Sequence, residues 1–274
     1  MSQKSILITG CSSGIGLDAA RHLRAANFRV FASCRKEEDC AARRAEGFES
    51  PRIDLDDRAS IHAGLAEVLE ATGGTLDALY NNGAFACPGL VEDLPTDALR
   101  AIFETNLFGQ HEMTRAVLPV MRRQGHGRIL NCSSVLGFVG IPWRGAYVAT
   151  KHALEGLTDV LRLEMRGSGI DVVLIEPGPI TAKIRENAIP HFERWIDWEN
   201  SPRRDAYRAL LDRLYKGGED KYELPASAVS AVILEALTAD RPKARYRVTK
   251  PTTYAMLARR LLPTRWLDAA IARG

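Results

Sequence analysis

The sequence predicts an α/β protein built on a single doubly wound parallel sheet of about seven strands, with helices on both faces. Short apolar runs near residues 5–9, 28–33, 50–54, 76–80, 127–133 and 170–176 alternate with longer segments in which apolar residues recur at helical spacing. Strands that alternate with helices pair in parallel. The chain has 274 residues, 46% of them hydrophobic, which is enough for one domain of this type.

Composition excludes several function classes. The net charge of +3 is too small to predict a nucleic-acid partner. The five cysteines lack paired metal-ligand spacing, so no metal site is predicted and free thiols in a cytoplasmic setting are expected. We expect neither a signal peptide nor a bilayer-spanning segment, because no apolar stretch is long enough.

The first strand leads directly into a glycine-rich turn and then a helix. This order is the context that a phosphate-binding loop requires. Gly10 allows the tight turn, Gly14 lets the backbone approach a pyrophosphate, and Gly16 lets the helix pack closely on the sheet. The alternative is an ordinary strand-to-helix turn. The predicted phosphate-loop residues are Gly10, Ser12, Ser13, Gly14, Ile15 and Gly16.

A tyrosine and a lysine lie four residues apart in the helix predicted at 144–167. This spacing puts the Tyr147 phenol and the Lys151 ammonium on one helix face. A lysine beside a tyrosine favours the phenolate, so Tyr147 becomes a candidate for proton exchange near neutral pH. The alternative is an exposed surface pair, and the other motifs of the chain argue against it.

Taken together, these motifs resemble the short-chain dehydrogenase/reductase family, whose members have a Rossmann fold. The resemblance runs from Ile6 to about Val248 and includes a final strand near residues 243–249. Within the family, the chain resembles the branch of NADP-dependent aldehyde/retinol reductases and 17β-hydroxysteroid dehydrogenases. The motifs are Thr9-Gly10-x-x-x-Gly14-Ile15-Gly16, Asn81-Asn82-Gly83-Ala84, Thr105-Asn106-Leu107-Phe108-Gly109, the strand ending at Ser133-Ser134, Tyr147-x-x-x-Lys151 and Glu176-Pro177-Gly178-Pro179-Ile180.

The resemblance implies roles for four catalytic residues. Tyr147 would be the general acid/base, and Lys151 would tune Tyr147 and bind the nicotinamide ribose. The family's serine lies thirteen residues before its tyrosine, which selects Ser134 over Ser133 as the group that polarises the carbonyl. Asn106 would hold a water in a proton relay.

Cofactor choice is predicted from the end of the second strand. No Asp or Glu stands there to bind ribose hydroxyls, whereas Arg35 and Lys36 follow it. Cationic groups suit a 2′-phosphate, so NADP(H) is preferred over NAD(H). A solvated charge at a helix start is the alternative for Arg35. In the family, the pair equivalent to Asp54 and Leu55 flanks the adenine.

The resemblance also supplies the remaining cofactor residues. The usual Asn-Asn-Ala-Gly order is inverted at Gly83-Ala84, which leaves room for the backbone to approach the cofactor. Ala182 stands where the family commonly has Thr, so Thr181 is expected to take over that contact. The predicted contacts in these two loops are Asn82, Gly83, Ala84, Pro177, Gly178, Ile180 and Thr181.

Substrate specificity is predicted only in outline. Residues 181–225 are expected to cover the active site, either as an apolar lid over a bulky substrate or as a helix pair that simply packs on the domain. The expected substrate contacts are Phe85, Leu136, Trp143 and Ile184.

The chain divides into a catalytic domain at residues 1–250 and a C-terminal helical tail at 251–274. Arginines and large apolar residues share the tail, a composition typical of segments that lie on anionic membranes. Packing of its apolar residues on the substrate lid or on a neighbouring subunit is favoured over membrane contact. The tail's apolar residues are Leu257, Leu261, Leu262, Trp266 and Leu267, and its arginines include Arg259, Arg260 and Arg265.

The sequence therefore predicts an NADP(H)-dependent oxidoreductase that acts on a small-molecule aldehyde, ketone or alcohol with an apolar body. The alternatives are an oxidising hydroxysteroid-type dehydrogenase and a catalytically silent NADPH-sensing protein. The silent protein should have lost Ser134, Tyr147 or Lys151, and all three are present. The family also implies a homodimer or homotetramer, formed through the helices predicted at 96–124 and 144–167.

Overall fold

A parallel sheet of six strands forms the centre of the structure, a computed structural model that describes residues 3–218 and 222–272. Residues 219–221 of the predicted lid and the two residues at each end of the chain lie outside the described residues. The strands are β1 Ser5–Ile8, β2 Arg29–Ala32, β3 Ala78–Asn81, β4 Gly127–Cys132, β5 Ile170–Glu176, β6 Ile180–Thr181, β7 Leu224–Pro225 and β8 Arg245–Arg247. The sheet has the order β2-β1-β3-β4-β5-β8, and β6 pairs with β7 separately.

The strand predicted at 50–54 is replaced by a bridged segment along the outer edge of β2. Phe31 pairs with Glu49 and Cys34 with Arg52, both in parallel, but the pairs are isolated. Pro51 lies between them and has no N–H to donate, which interrupts the ladder. Six strands and this bridged edge agree with the predicted class and with about seven strands.

The helices cover both faces of the sheet. They are α1 Gly14–Ala25, α2 Glu37–Ala45, α3 Arg58–Ala71, α4 Thr96–Phe103, α5 Gln110–Gln124, α6 Gly145–Glu164, α7 Ile184–Trp195, α8 Arg204–Tyr215, α9 Ala226–Thr238, α10 Lys250–Leu261 and α11 Thr264–Ile271. None of them, among the described residues, is long and apolar enough to cross a membrane.

β1 shows why the sheet is buried on both faces. Ile6 and Ile8 belong to a buried cluster with Ile233 of α9, whereas Leu7 belongs to a second cluster with Val117 of α5. Successive side chains of a strand point to opposite faces, so an unbroken apolar run requires a helical layer on each side.

The helix predicted at 96–124 is interrupted by a π-helical segment, Glu104–Gly109, that joins α4 to α5. Pro119 lies inside α5 without ending it. A Cβ at Gly109 would lie 2.0 Å from the Leu55 carbonyl oxygen, so only glycine permits this close passage. π-helical turns inside α-helices are frequent at functional sites.

Helices α7 and α8 form a third layer over the carboxyl ends of β3 and β4. Phe192 and Tyr207 are buried there with Leu90 in an apolar cluster. The Tyr207 hydroxyl donates to Asp93 at 2.7 Å and accepts the Leu90 N–H at 3.1 Å. The helix pair therefore packs firmly on the domain.

Candidate active site

The glycine-rich turn after β1 is held against the end of β3. The Thr9 hydroxyl accepts the N–H groups of Asn82 and Gly83, both at 3.0 Å. Gly10 has a φ of 74°, and a Cβ on it would lie 2.7 Å from the Gly83 Cα. A Cβ on Gly16 would lie 2.4 Å from the Gly10 carbonyl oxygen. Glycine is therefore sterically required at Gly10 and Gly16.

The N-terminus of α1 is free to bind an anion. Ser13 is its N-cap residue, but its side chain caps no amide, and the first turn holds no acidic residue. Unsatisfied amides at a helix N-terminus attract phosphate. Gly14 has a φ of 58°, and a Cβ there would come within 3.5 Å of the Ala182 Cβ, so the segment after β6 passes close to this loop. Ser12 is exposed beside it, and Ile15 packs on the core. These residues fit a dinucleotide pyrophosphate.

Arg43 of α2 stabilises the same loop, although no sequence motif predicts a role for this arginine. Its guanidinium donates to the carbonyl oxygens of Cys11 at 3.2 Å and Ser12 at 3.1 Å. It also pairs with Glu46 at 2.7 Å. Arg43 therefore positions the backbone of the phosphate loop from behind.

The end of β2 carries an exposed arginine. Within the part of the chain that the structure describes, the Arg35 side chain makes no ion pair. Lys36 instead pairs with Glu38 at 3.1 Å. The pKa of His191 on α7 is lowered by burial and further by Arg35, so the arginine lies near the lid helices as well.

The inverted Gly83-Ala84 pair lies against Leu55, which is one of the two residues expected to flank the adenine. A Cβ on Gly83 would lie 2.9 Å from Cδ1 of Leu55, which is itself buried, so glycine at this position makes room for Leu55. One carboxylate oxygen of Asp54 accepts the Asp56 N–H at 3.2 Å.

Tyr147 and Lys151 lie on α6 and face the end of β4, as their spacing predicts. Lys151 is only 1% exposed, and its ammonium donates to the Cys132 carbonyl at 2.7 Å. Its Nζ lies 5.5 Å from the centre of the Tyr147 ring. Burial lowers the pKa of Lys151.

Ser134 lies two residues beyond the end of β4 and caps the short 3₁₀ turn that follows. Its hydroxyl accepts the Leu136 N–H at 3.1 Å. Burial raises the pKa of Tyr147 and outweighs the opposing effects of Arg144 and of the hydrogen bond with Ser134. In the protein alone, burial rather than the neighbouring lysine therefore governs the phenol, and Tyr147 is held protonated.

Asn106 lies in the π-helical segment and is completely buried. Its side-chain oxygen accepts the Phe85 N–H at 3.0 Å, and its amide donates to the Phe85 carbonyl at 2.9 Å and to the Thr150 hydroxyl at 3.3 Å. Thr150 in turn donates to the Tyr147 carbonyl at 2.8 Å. Asn106 thus ties the loop after β3 to the catalytic helix, and its part in a water relay stays a prediction.

A network of partly buried ion pairs holds α6 against the last strand. Arg245 of β8 binds Glu155 of α6, Glu176 at 2.7 Å and Asp159 at 2.6 Å. Burial, and then the neighbouring Glu155, raises the pKa of Glu176. Glu155 is one helical turn beyond Lys151, so this network fixes the part of α6 that carries Lys151.

Trp143 has a backbone conformation that is unusual for a bulky residue. Its φ is 70°, in the left-handed region. The Gly89 N–H donates to its carbonyl at 3.0 Å, and its ring meets Tyr207 edge-on at 5.0 Å. Strained residues of this kind cluster at functional sites. Trp143 and Tyr147 both pack against the apolar cluster beneath α7 and α8.

The other expected substrate contacts lie at different depths. Phe85 stacks on His191 of α7 with 3.8 Å between ring centres. Leu136 is half-buried in the 3₁₀ turn Val135–Gly137, next to Ser134. Ile184 begins α7, is 40% exposed and lies outside the apolar cluster.

The loop after β5 lies between the catalytic strand and the tail. The Pro177 carbonyl accepts the Val135 N–H at 2.8 Å. A Cβ on Gly178 would lie 2.1 Å from the Thr249 hydroxyl, just before α10. Ile180 packs on the core, and Thr181 is exposed.

A parallel sheet whose strand order changes direction between β1 and β3, a glycine-rich turn after β1 and a Tyr–Lys pair on the helix after β4 are typical of dinucleotide-dependent oxidoreductases. The comparisons with known proteins agree and are more specific. A family model for short chain dehydrogenase matches residues 4–191, and the chain belongs to that family.

Two curated relatives and one solved structure illustrate the match. The uncharacterized oxidoreductase YbbO of Escherichia coli is 39% identical over 97% of this chain and 93% of its own. The NADPH-dependent 3-dehydrocapnine reductase of Ornithobacterium rhinotracheale is 32% identical over 96% of this chain and 94% of its own. A short-chain dehydrogenase/reductase from Burkholderia phymatum in complex with NAD has a TM-score of 0.78 at 27% identity, covering 95% of this chain and 92% of that one.

Proposed function

We propose that this chain is an NADP(H)-dependent oxidoreductase that interconverts the carbonyl and alcohol forms of an apolar small molecule. The observation that carries the proposal is the buried ammonium of Lys151, which lies 5.5 Å from the centre of the Tyr147 ring at the end of β4, close to Ser134 in the chain fold and under an apolar layer. Those groups suit proton transfer to a carbonyl oxygen.

Each residue has a distinct role in the proposal. The bound nicotinamide supplies or accepts the hydride. The protonated phenol of Tyr147 gives its proton to the substrate oxygen in reduction and takes it back in oxidation. Ser134 donates a hydrogen bond to the same oxygen. Lys151 supplies positive charge beside the phenolate that forms, and Asn106 belongs to the path by which that phenolate regains a proton.

An apolar substrate is supported by the walls of the site. The loops around Ser134 and Tyr147 carry Trp143, Phe85 and Leu136. The layer above them includes Phe192 of α7 and Tyr207 of α8. Ile184 is exposed at the start of α7, which suits a contact at the edge of the site. Aldehydes, ketones and alcohols with bulky apolar bodies are the expected class.

Replacing Trp143 by alanine should lower kcat/KM for bulky apolar carbonyl compounds about tenfold, because the substrate loses a buried ring surface. Turnover of a small aldehyde should change much less. Steady-state kinetics on both substrates provide the measurement, and Trp143→Phe is the matched control. Equal losses on small and bulky substrates would contradict a role for Trp143 as a substrate wall.

The preference for NADP(H) is supported by Arg35, which is exposed and without an ion pair among the described residues, and by the brace that Arg43 provides to Ser12. Replacing Arg35 by glutamine should lower kcat/KM for NADPH about 30-fold, since a charged hydrogen bond to the 2′-phosphate is lost. The value for NADH should stay nearly constant. Arg100→Gln removes an exposed arginine of α4 and serves as the control. An equal loss with both cofactors would refute this assignment.

A substrate panel tests the function itself. Purified protein with NADPH is given aliphatic aldehydes, retinal and ketosteroids, and the corresponding alcohols with NADP⁺. Turnover in the reducing direction supports the proposal. Turnover only of hydroxysteroids with NADP⁺ would favour the oxidising alternative, and tight NADPH binding without any turnover would favour a sensor.

Self-association is supported by the outer face of α5 and α6. Leu157, Val160 and Leu163 of α6 and Phe108 before α5 are exposed there. We expect a dimer formed through this face, and Val160→Glu together with Leu163→Glu should yield monomers by light scattering, because like charges would meet across a symmetric interface. An unchanged mass would exclude this face.

The cytoplasmic setting stays a prediction, and the free, buried state of all five cysteines suits it.

A further inference from the structure

We propose that the outer face of α10 and α11 binds the surface of an anionic lipid bilayer. This goes beyond the proposed catalytic function and does not depend on it. Only one side of these two helices is packed on the protein, through the buried residues Thr252, Met256 and Leu267. The sequence favours packing of the tail over membrane contact. Of the five apolar tail residues named in the sequence analysis, however, only Leu267 is buried.

The outer face exposes large apolar side chains in a helical pattern. Tyr254, Leu257 and Leu261 follow one another at spacings of three and four residues and share one face of α10. Leu261 is 76% exposed and Trp266 of α11 is 67% exposed. A tryptophan beside leucines is typical of segments that lie at the boundary between headgroups and acyl chains.

Charge identifies the partner. Residues 250–274 hold five basic residues and one acidic residue, a net charge of +4, whereas the whole chain carries +3. The rest of the chain therefore carries −1, so the tail together with Lys250 accounts for the net positive charge of the protein. Arg259, Arg260 and Arg265 are all exposed among the apolar residues. Basic residues within a Debye length of an anionic bilayer are attracted to its headgroups, and this attraction strengthens membrane binding by the apolar residues.

A second copy of the chain is a poorer occupant of this face. In a symmetric dimer the same patch meets itself, so these three arginines would approach the arginines of the partner. An anionic bilayer neutralises them instead.

The tail lies next to the loop that leads into α6. A groove of about 320 Å³ separates α11 from the loop that leads into α6, and its lining includes Ile141, Val148 and Ile271. Trp143 lies in the same loop, and Val148 follows Tyr147 directly. α11 therefore lies between this loop and the outer face, with Ile271 on the groove and Trp266 exposed.

Co-sedimentation of the full-length protein with vesicles tests the proposal. We expect the protein to pellet with vesicles of equimolar phosphatidylcholine and phosphatidylglycerol and to stay in solution with pure phosphatidylcholine. The combined variant Arg259→Gln, Arg260→Gln, Arg265→Gln should lower the partition coefficient on the order of 100-fold, at about fivefold for each arginine. Leu261→Ser with Trp266→Ser should also weaken binding, although it leaves the charge unchanged.

The control removes the same charge elsewhere. Arg58→Gln, Arg100→Gln and Arg241→Gln change three exposed arginines outside the tail and should leave vesicle binding intact. Circular-dichroism melting curves verify that each variant folds. The proposal is overturned if the parent does not pellet with the anionic vesicles, or if the tail variant pellets as the parent does. It is also overturned if the tail variants change the mass measured by light scattering, since the face would then join two copies.

Discussion

Replacing Tyr147 by phenylalanine should lower kcat for carbonyl reduction on the order of 10³-fold, because the substrate oxygen loses the group that gives it a proton. The ring remains, so the packing under α7 and α8 should persist. NADPH binding should change little, since the phosphate loop is untouched. Stopped-flow measurement of NADPH oxidation, with NADPH fluorescence titration beside it, separates the two effects.

Tyr254→Phe is the matched control, because it removes an exposed phenol from α10 without approaching the site. It should leave carbonyl reduction unchanged. Retention of more than about a tenth of the parental kcat in Tyr147→Phe would mean that another group protonates the substrate.

The pH dependence of the parent follows from the same residue. Burial raises the pKa of Tyr147, so the phenol stays protonated through the neutral range. Reduction needs the protonated form and should be constant near neutrality, declining only in the alkaline range. Oxidation needs the phenolate and should increase as the pH rises. A reduction rate that falls from acidic to neutral pH in the parent would contradict this assignment.

The local parts of the site could be predicted from sequence because they depend on short-range geometry. The apolar run of β1, the glycines after it and the four-residue spacing of Tyr147 and Lys151 each define a backbone path or a helix face. The structure has these elements where the sequence predicts them.

The environment of those residues could not be predicted, since it depends on distant partners. Spacing places Lys151 on the face of Tyr147, but the ammonium donates to Cys132, nineteen residues earlier, and burial raises the phenol pKa. The motif identifies Asn106 and says nothing of its clamp on the Phe85 backbone.

Backbone irregularities were equally hidden from sequence reasoning. Trp143 has a left-handed conformation and contacts Gly89 and Tyr207, residues far away in the chain. Pro51 did carry a usable signal, because a proline inside a predicted strand indicates a broken edge.

Replacing Gly16 by alanine should lower NADPH affinity on the order of 10²-fold. The added methyl group would push the glycine-rich turn away from α1, and the backbone amides that bind the pyrophosphate would then be misplaced. The new Cβ would lie 2.4 Å from the Gly10 carbonyl oxygen and 2.6 Å from the side-chain nitrogen of Asn82. The first of these atoms belongs to the backbone and can yield only if the turn itself moves. Overpacking of this kind also costs about 2 kcal/mol in the free energy of unfolding.

Gly140→Ala provides the comparison, because a Cβ there meets no atom within 4 Å. It should leave both NADPH affinity and the urea midpoint unchanged. Fluorescence titration with NADPH and urea unfolding measure the two quantities on the same samples. If Gly16→Ala loses stability but binds NADPH as the parent does, displacement of the glycine-rich turn does not affect the cofactor. The pyrophosphate would then bind elsewhere. If it loses affinity while Gly140→Ala keeps it, contact between α1 and the turn after β1 is what shapes the cofactor site.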